Sequence, residues 1–283
     1  MEMDSAESFG PTDVAASGCP LPVLALTPAC PGCGLVVDTE RLRQRLYVCE
    51  CGNHFRMSAE AWIALLASPG TWRERFDDLR PHDQLRWAEP RPYQSILDGA
   101  LRRGMNEAVR TGTCVIERHP VWLAAFEFGF VGGTLGMVAG ERLASAIESA
   151  ADERVPFVLV TASGGARMQE GTLALMQMAK VNAALHTIER AGVLFLSILT
   201  DPTFGGTAAS VAMLGDVNIA EPAAAIGFTG ARVIRRATHA ELPEGFQTAE
   251  FQLGHGQVDI VVSRLHLRRT VVGLLDLLTR PGA

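Results

Sequence analysis

The sequence predicts an α/β fold with a small cysteine-bound module near its N-terminal end, and three observations predict it. Beyond residue 112, strand-like apolar runs alternate with glycine turns and helical stretches, the pattern of a sheet covered on both faces. Four cysteines fall at positions 30, 33, 49 and 51, close enough in sequence to close on one ion. A chain of 283 residues, 48% hydrophobic, is long enough for one substantial core and an appended module.

The elements follow in order. Residues 1–29 mix Ser, Pro, Gly, Ala and acid without periodicity and read as a flexible leader. Residues 30–54 hold the cysteines. Residues 55–111 read as an Arg/Asp-rich helical connector in which Ser58 N-caps the first helix. The main domain spans 112–283. Segments 113–117 and 121–128 read as a hairpin around His119-Pro120. A helix over 141–153, a strand over 157–161, a turn over 163–167 and a helix over 168–189 come next. A strand over 193–199, a second turn over 201–206 and a short small-residue helix through Met213 complete the pattern.

Composition narrows the function classes. Charged residues make up 20% and the formal net charge is −6, so the basic field of a nucleic-acid binder is missing. The longest apolar runs, 193–199 and 156–160, are far too short to span a bilayer. The N-terminus, Met-Glu-Met-Asp, lacks the positive start of a secretion signal. A cytoplasmic location without membrane contact is therefore expected, and with it reduced thiols. Among the 25 basic residues there is a single lysine, Lys180.

Cys30-Pro-Gly-Cys33 forms one knuckle, and Cys49-Glu-Cys51, followed by Gly52, forms a second. Two knuckles at this separation are the mark of a zinc ribbon, and a site of four thiolates is structural rather than catalytic. The second knuckle is one residue shorter than Cys-x-x-Cys, which leaves two alternatives open. His54 can replace a misplaced thiolate, or the module can be a metal-free remnant. Cys19 and Cys114 stand outside the spacing and read as incidental or buried thiols.

Three Gly-Gly turns fall at element ends: Phe130-Val-Gly-Gly-Thr-Leu-Gly136, Ala162-Ser-Gly-Gly-Ala-Arg167 and Thr200-Asp-Pro-Thr-Phe-Gly-Gly-Thr207. A Gly-Gly pair between strand and helix permits unusual backbone angles and close ligand approach. It also leaves N–H groups free at the positive end of a helix, which suits a developing oxyanion. Taken alone, the second turn reads equally as a tight turn that needs glycine for geometry. None of the three has the order of a phosphate loop or of a dinucleotide site. Nucleophile and base candidates are few. Ser163 lies in no nucleophile elbow. His119, His186 and His255 read as turn, helix-face and loop residues, and Asp201-Pro202 reads as a turn starter. The lack of an obvious base favours chemistry in which a cofactor or substrate carries the proton.

The motifs Cys30-Pro-Gly-Cys33, Ala125-Phe-Glu-Phe-Gly-Phe-Val-Gly-Gly133, Ser163-Gly-Gly-Ala-Arg-Met-Gln-Glu170, Met176-Gln-Met-Ala-Lys180, Leu199-Thr-Asp-Pro-Thr-Phe-Gly-Gly206, Met213-Leu-Gly-Asp-Val-Asn-Ile-Ala-Glu-Pro222 and Leu242-Pro-Glu-Gly-Phe-Gln247 occur in this order. Together they resemble the β-subunit family of bacterial acetyl-CoA carboxylase carboxyltransferases over residues 30–275. The resemblance implies a ClpP/crotonase-like spiral of ββα units with an N-terminal zinc ribbon holding one structural Zn2+. It implies transfer of carboxylate from carboxybiotin, presented by a carrier protein and not bound covalently to this chain, to acetyl-CoA, giving malonyl-CoA for fatty-acid synthesis. Gly164 and Gly165 then form an oxyanion hole, and biotin's ureido nitrogen accepts the proton. Gly132, Gly133, Ser163, Gly205 and Gly206 are expected to shape the acyl-CoA and biotin cleft. Arg167 and Lys180 are expected either to support the turn or to contact CoA phosphates. The implied partners are a carboxyltransferase α subunit in an α2β2 assembly, which brings a second oxyanion hole, a biotin carboxyl carrier protein and biotin carboxylase. The resemblance also carries an expectation of ATP and nucleotide binding.

Three departures, the short second knuckle, the missing polar tail and the unusual leader, leave room for a pathway-dedicated paralogue. Two other functions compete. One is a decarboxylase subunit that uses the same glycine turns on a malonyl thioester. The other treats the ribbon as a nucleic-acid module, with Arg41, Arg43 and Arg45 between the knuckles meeting phosphates.

Overall fold

The structure, a computed structural model, describes residues 29–239 and 241–279. The leader through residue 28, with Cys19, and the segment from Arg280 to Ala283 lie outside the described residues. In chain order the elements are α1 (Thr39–Gln44), α2 (Ala59–Leu66), β1 (Arg73–Arg75), α3 (Tyr93–Arg102), β2 (Val109–Ile116), β3 (His119–Phe126), α4 (Met137–Glu153), β4 (Phe157–Ser163), α5 (Gly171–Ala191) and β5 (Phe195–Phe204). There follow α6 (Gly205–Thr207), which runs on as a π-turn (Ala208–Ala212), then β6 (Val217–Ala220), β7 (Ile226–Gly227), α7 (Ala231–Thr238), α8 (Ala249–Gly254), β8 (Ile260–Val261) and α9 (Arg264–Leu278).

The strands form one mixed sheet in the order β1-β2-β3-β4-β5-β6-β8, with β7 also on β5. β1, β2 and β3 pair antiparallel, and the pairs from β3 onward are parallel. The parallel strands open on apolar runs, Phe157–Val160 in β4 and Phe195-Leu196 in β5, that are buried on both faces. Alternate residues sort by face. Trp122, Ala124, Phe126, Phe157 and Leu159 join one core with residues of α4 and α5. Leu123, Ala125, Val158 and Val160 join a second core with Trp62 and Leu66 of α2 and with Leu267, Val271 and Leu275 of α9.

Several elements differ from expectation for local reasons. The hairpin turns at Glu117-Arg118, where Glu117 takes φ +55°. His119 and Pro120 instead open β3, opposite Ile116 and Val115. Pro120 precedes Trp122, where β3 begins to pair with β4, so its missing N–H breaks no bond on that side. The long helix starts at Gly171, not at Met168. Met168–Glu170 form a 3-10 turn, and Gly171 at φ 51°, ψ −132° separates the two. β5 continues through Asp201-Pro202 to Phe204, so the third glycine turn begins at Gly205. The connector also supplies β1 to the sheet, and residue 112 lies inside β2. The Ser58 cap is present, its hydroxyl accepting the Ala61 N–H at 3.2 Å.

Arg264, the first residue of α9, joins the cysteine module to the core. Its guanidinium donates to both Glu221 carboxylate oxygens at 2.6 Å and to the Leu46 and Phe55 carbonyls at 3.0 and 2.9 Å, above the Trp62 ring. Both members of the pair are buried. Removing one buried partner strands the other's charge, which costs about 3–5 kcal/mol. Arg264→Met is therefore expected to lower the unfolding free energy measured by urea denaturation by that amount, and Glu221→Leu in the same chain to restore most of it. A loss below about 1 kcal/mol for the single variant would contradict the clamp.

Candidate functional site

The three glycine turns meet at the C-terminal ends of β4 and β5. The Gly164 N–H donates to the Gly132 carbonyl at 2.9 Å, Leu135 N–H to Gly165 at 2.8 Å, and Arg167 N–H to Leu135 at 3.0 Å, which zips the first turn to the second. A Cβ on Gly133, at φ +63°, would overlap the Ala162 carbonyl. The second and third turns touch through bare backbone. A Cβ on Gly165, at φ +109°, would lie 3.2 Å from the Gly205 Cα, and one on Gly205 2.9 Å from the Gly165 Cα. Only glycine permits this approach. The grouping of Gly132, Gly133, Gly164, Gly165, Gly205 and Gly206 around one place thus has a steric cause.

Ser163 is fully buried and bonded on both sides. Its hydroxyl donates to Thr207 Oγ1 at 2.9 Å and accepts the Gly165 N–H at 3.1 Å. Both bonds brace the turn. The N–H of Gly164 is committed to Gly132, so the expected pair Gly164 and Gly165 does not offer two free amides. The N–H groups of Ala166 and Gly206 have no hydrogen-bond partner among the described residues, and the Gly206 nitrogen lies 3.6 Å from where a Gly165 Cβ would be.

Arg167 lies under the turn with no solvent exposure. It is ion-paired with Glu107, and donates to Glu170 Oε1 and Tyr93 Oη at 3.1 Å and to the Thr134 carbonyl at 2.7 Å. Burial alone would depress its pKa, but Glu107, Tyr93 and Glu170 outweigh burial and raise it, so it stays charged. Tyr93 donates to Glu170 at 2.7 Å, and the second Glu170 oxygen accepts the Met137 N–H at the start of α4. The guanidinium also fills the place of a Gly136 side chain. Of its two expected roles, supporting the turn fits this burial and contacting phosphate does not. Lys180 is partly exposed on α5, where its ion pair is with Glu141.

Tyr93 and Glu107 were missed by sequence reasoning. They come from the connector, 74 and 60 residues before Arg167, with no motif to mark them.

The four sulfurs of Cys30, Cys33, Cys49 and Cys51 lie within 4.8 Å of one another. Cys30 and Cys51 are 3.6 Å apart, and Cys33 and Cys49 3.9 Å. A tetrahedron with Zn–S bonds of about 2.3 Å has edges of about 3.8 Å, so the four cysteines can hold a zinc ion despite the short second knuckle. His54 is turned elsewhere. Its Nε2 accepts the Arg264 N–H at 3.2 Å, and burial beside the Arg264 guanidinium pushes its pKa down to about 4. Arg41 and Arg43 pair with Glu50 and Glu40, and Arg45 donates to the Val48 carbonyl. Cys114 is buried in β2, where burial pushes its thiol up to about 12. Among the described residues no helix is long and apolar enough to cross a membrane.

A mixed α/β sheet whose strand ends carry interlocked glycine turns defines this chain as a carboxyltransferase of the crotonase-like fold. The carboxyl transferase domain family matches residues 71–258. The chain is 46% identical over 250 residues to the acetyl-coenzyme A carboxylase carboxyl transferase subunit beta of Microcystis aeruginosa, covering 88% of this chain and 79% of that one. It is 49% identical over 248 residues to the acetyl-coenzyme A carboxylase carboxyl transferase subunits beta/alpha of Saccharopolyspora erythraea, covering 87% of this chain and 44% of the relative. Among solved structures, the Pseudomonas malonate decarboxylase MdcD-MdcE hetero-dimer superimposes with a TM-score of 0.61 at 25% identity, over 80% of this chain and 90% of that one. The chain belongs to the family of acetyl-coenzyme A carboxylase carboxyl transferase β subunits.

Proposed function

We propose that this chain is the β subunit of a carboxyltransferase that adds a carboxylate to acetyl-CoA, forming malonyl-CoA for fatty-acid synthesis. The observation that carries the reading is the interlocked turn with unpartnered amides at Ala166 and Gly206, beside Gly165. As the methyl proton leaves, the thioester oxygen takes on negative charge. Amides fixed by the turn's own hydrogen bonds stabilise that charge without reorganising. Gly165 is the pivot of this hole. Its own N–H is held by the Ser163 hydroxyl at 3.1 Å, which keeps the free amides of Ala166 and Gly206 in place beside it. The bare backbone of Gly132, Gly133, Gly205 and Gly206 lets the thioester approach closely. Biotin on a carrier protein supplies the activated carboxylate and the acceptor for the proton, in keeping with the absence of a base beside the turn among the described residues.

A separate α subunit completes the site in an α2β2 assembly, with carrier protein and biotin carboxylase as further partners. The relative whose name joins β and α in one chain supports this, since this chain matches less than half of it. The ribbon holds one structural Zn2+ on Cys30, Cys33, Cys49 and Cys51, and the cytoplasm keeps those thiols reduced. Cys51→Ser is expected to lower zinc from a full equivalent to a small fraction, as measured by elemental analysis of purified protein. Full retention would place the fourth ligand elsewhere.

The decarboxylase reading draws on the malonate decarboxylase likeness, at 25% identity against 46% for the carboxylase subunit. Reconstitution with an α subunit and carboxylated carrier separates the two. Carrier-dependent malonyl-CoA supports the carboxylase, whereas carrier-independent loss of CO2 from malonyl-CoA overturns it.

A further inference from the structure

Helix α7 stands out because little of it is covered. Val233, Arg235, Arg236, Ala237, Thr238 and His239 are all exposed. Isolated helices this short are marginal in water, and among the described residues of this one only Ala231 and Ile234 are partly covered, which leaves the others available to a ligand. Its charge says of what kind. No acidic residue occurs between Glu221 and Glu241, and Arg235 has no carboxylate partner among the described residues. The last turn is basic, with Arg235 and Arg236 side by side.

Its place in the fold ties it to the site. β7 pairs with the end of β5, Thr203 opposite Ile226 and Phe204 opposite Gly227. The Phe228 carbonyl then accepts the Gly205 N–H at 2.9 Å. Gln247 holds the next step, its Nε2 donating to the Thr229 carbonyl at 2.8 Å, and α7 begins two residues later. Three chain steps lead from Phe228 to the start of α7 and five more run along it to Arg236, so their Cα atoms are within about 20 Å. Phe228, 68% exposed, comes between the glycine turn that its carbonyl holds and the arginines in chain order. A thioester carbonyl at the turn, an apolar ring beside it and a cationic patch within reach match acyl-CoA in order: acyl group, pantetheine arm, phosphates.

We propose that the basic face of α7, with Arg235 and Arg236, binds the phosphate groups of the acyl-CoA, and that Phe228 packs against its pantetheine arm. The inference rests on the acyl-CoA reading above and deepens it. Guanidinium groups suit phosphate oxygens through paired N–H donors. The contact is remote from the reacting carbon and equal in ground and transition states, so its loss raises KM and leaves kcat.

The test compares two acceptors in the reconstituted complex: acetyl-CoA, and S-acetylpantetheine, which has no phosphate. Arg235→Ser with Arg236→Ser is expected to raise KM for acetyl-CoA about tenfold, with kcat nearly unchanged and S-acetylpantetheine kinetics unaffected. Equal losses on both acceptors, no loss on either, or a rise confined to the KM for carboxylated carrier would each overturn it. Titration of the same complex with adenosine 3′,5′-bisphosphate gives a readout independent of turnover. The wild type should bind it and the double variant should bind it at least tenfold more weakly. Absence of malonyl-CoA from the wild type, with bisphosphate binding intact, would count against the carboxylase reading and not against the phosphate site. Absence of bisphosphate binding would count against the phosphate site alone.

Discussion

Gly165→Val is expected to lower carboxyl transfer by about 10²–10³-fold, the loss that follows removal of one oxyanion donor. Gly165 sits at φ +109° with the Gly205 Cα facing it. A branched side chain there forces the second and third turns apart and tilts the amides of Ala166 and Gly206 away from the thioester oxygen. β4 and α5 remain packed in the main core, so the expected variant is folded, holds its zinc and retains most of its affinity for the α subunit. Malonyl-CoA formation, read beside circular dichroism and zinc content, checks this. Activity within a few-fold of wild type would remove Gly165 from the hole. Gly164→Ala makes the contrasting control. Its Cβ would rest 3.4 Å from the Gly132 carbonyl in ordinary space, and its N–H already serves Gly132, so the expected loss is several-fold smaller.

Arg167→Met is expected to cost about 3–5 kcal/mol of stability, because it leaves Glu107 and Glu170 buried without their shared cation. The effect should reach further than the turn. Glu170 also accepts the first N–H of α4, and Tyr93 hangs on the same carboxylate. Arg167→Lys should recover little, since one ammonium cannot reproduce a fork that serves Glu107, Glu170, Tyr93 and the Thr134 carbonyl together. Urea denaturation of both variants measures this. A Lys variant as stable as the wild type would show that charge alone matters at this position.

Much of the site was legible in the sequence because glycine pairs at strand ends have few explanations, and here steric contact supplies the same one three times. The four cysteines were legible for a similar reason: their spacing leaves little besides a shared ion. The role of Arg167 was not. Its partners lie 60 and 74 residues away in a connector without a motif, and a buried arginine has the same letter as a solvated one. Donor identity was also out of reach. Only the hydrogen bonds of the folded turn show that Gly164 is already engaged and Ala166 is not. The hairpin and the long helix were misplaced by a few residues where Glu117 and Gly171 take positive φ. These are backbone states that residue type alone indicates weakly for glutamate.

The account turns on backbone amides in the Ser163–Arg167 turn stabilising an enolate, and replacing the Ala166 amide by an ester tests it most directly. Substitution with lactic acid at that position keeps the methyl side chain and removes only the N–H. The expected result is a fall in kcat of about 10²-fold or more, with little change in the KM for acetyl-CoA. An ester variant that turns over at the wild-type rate would contradict it.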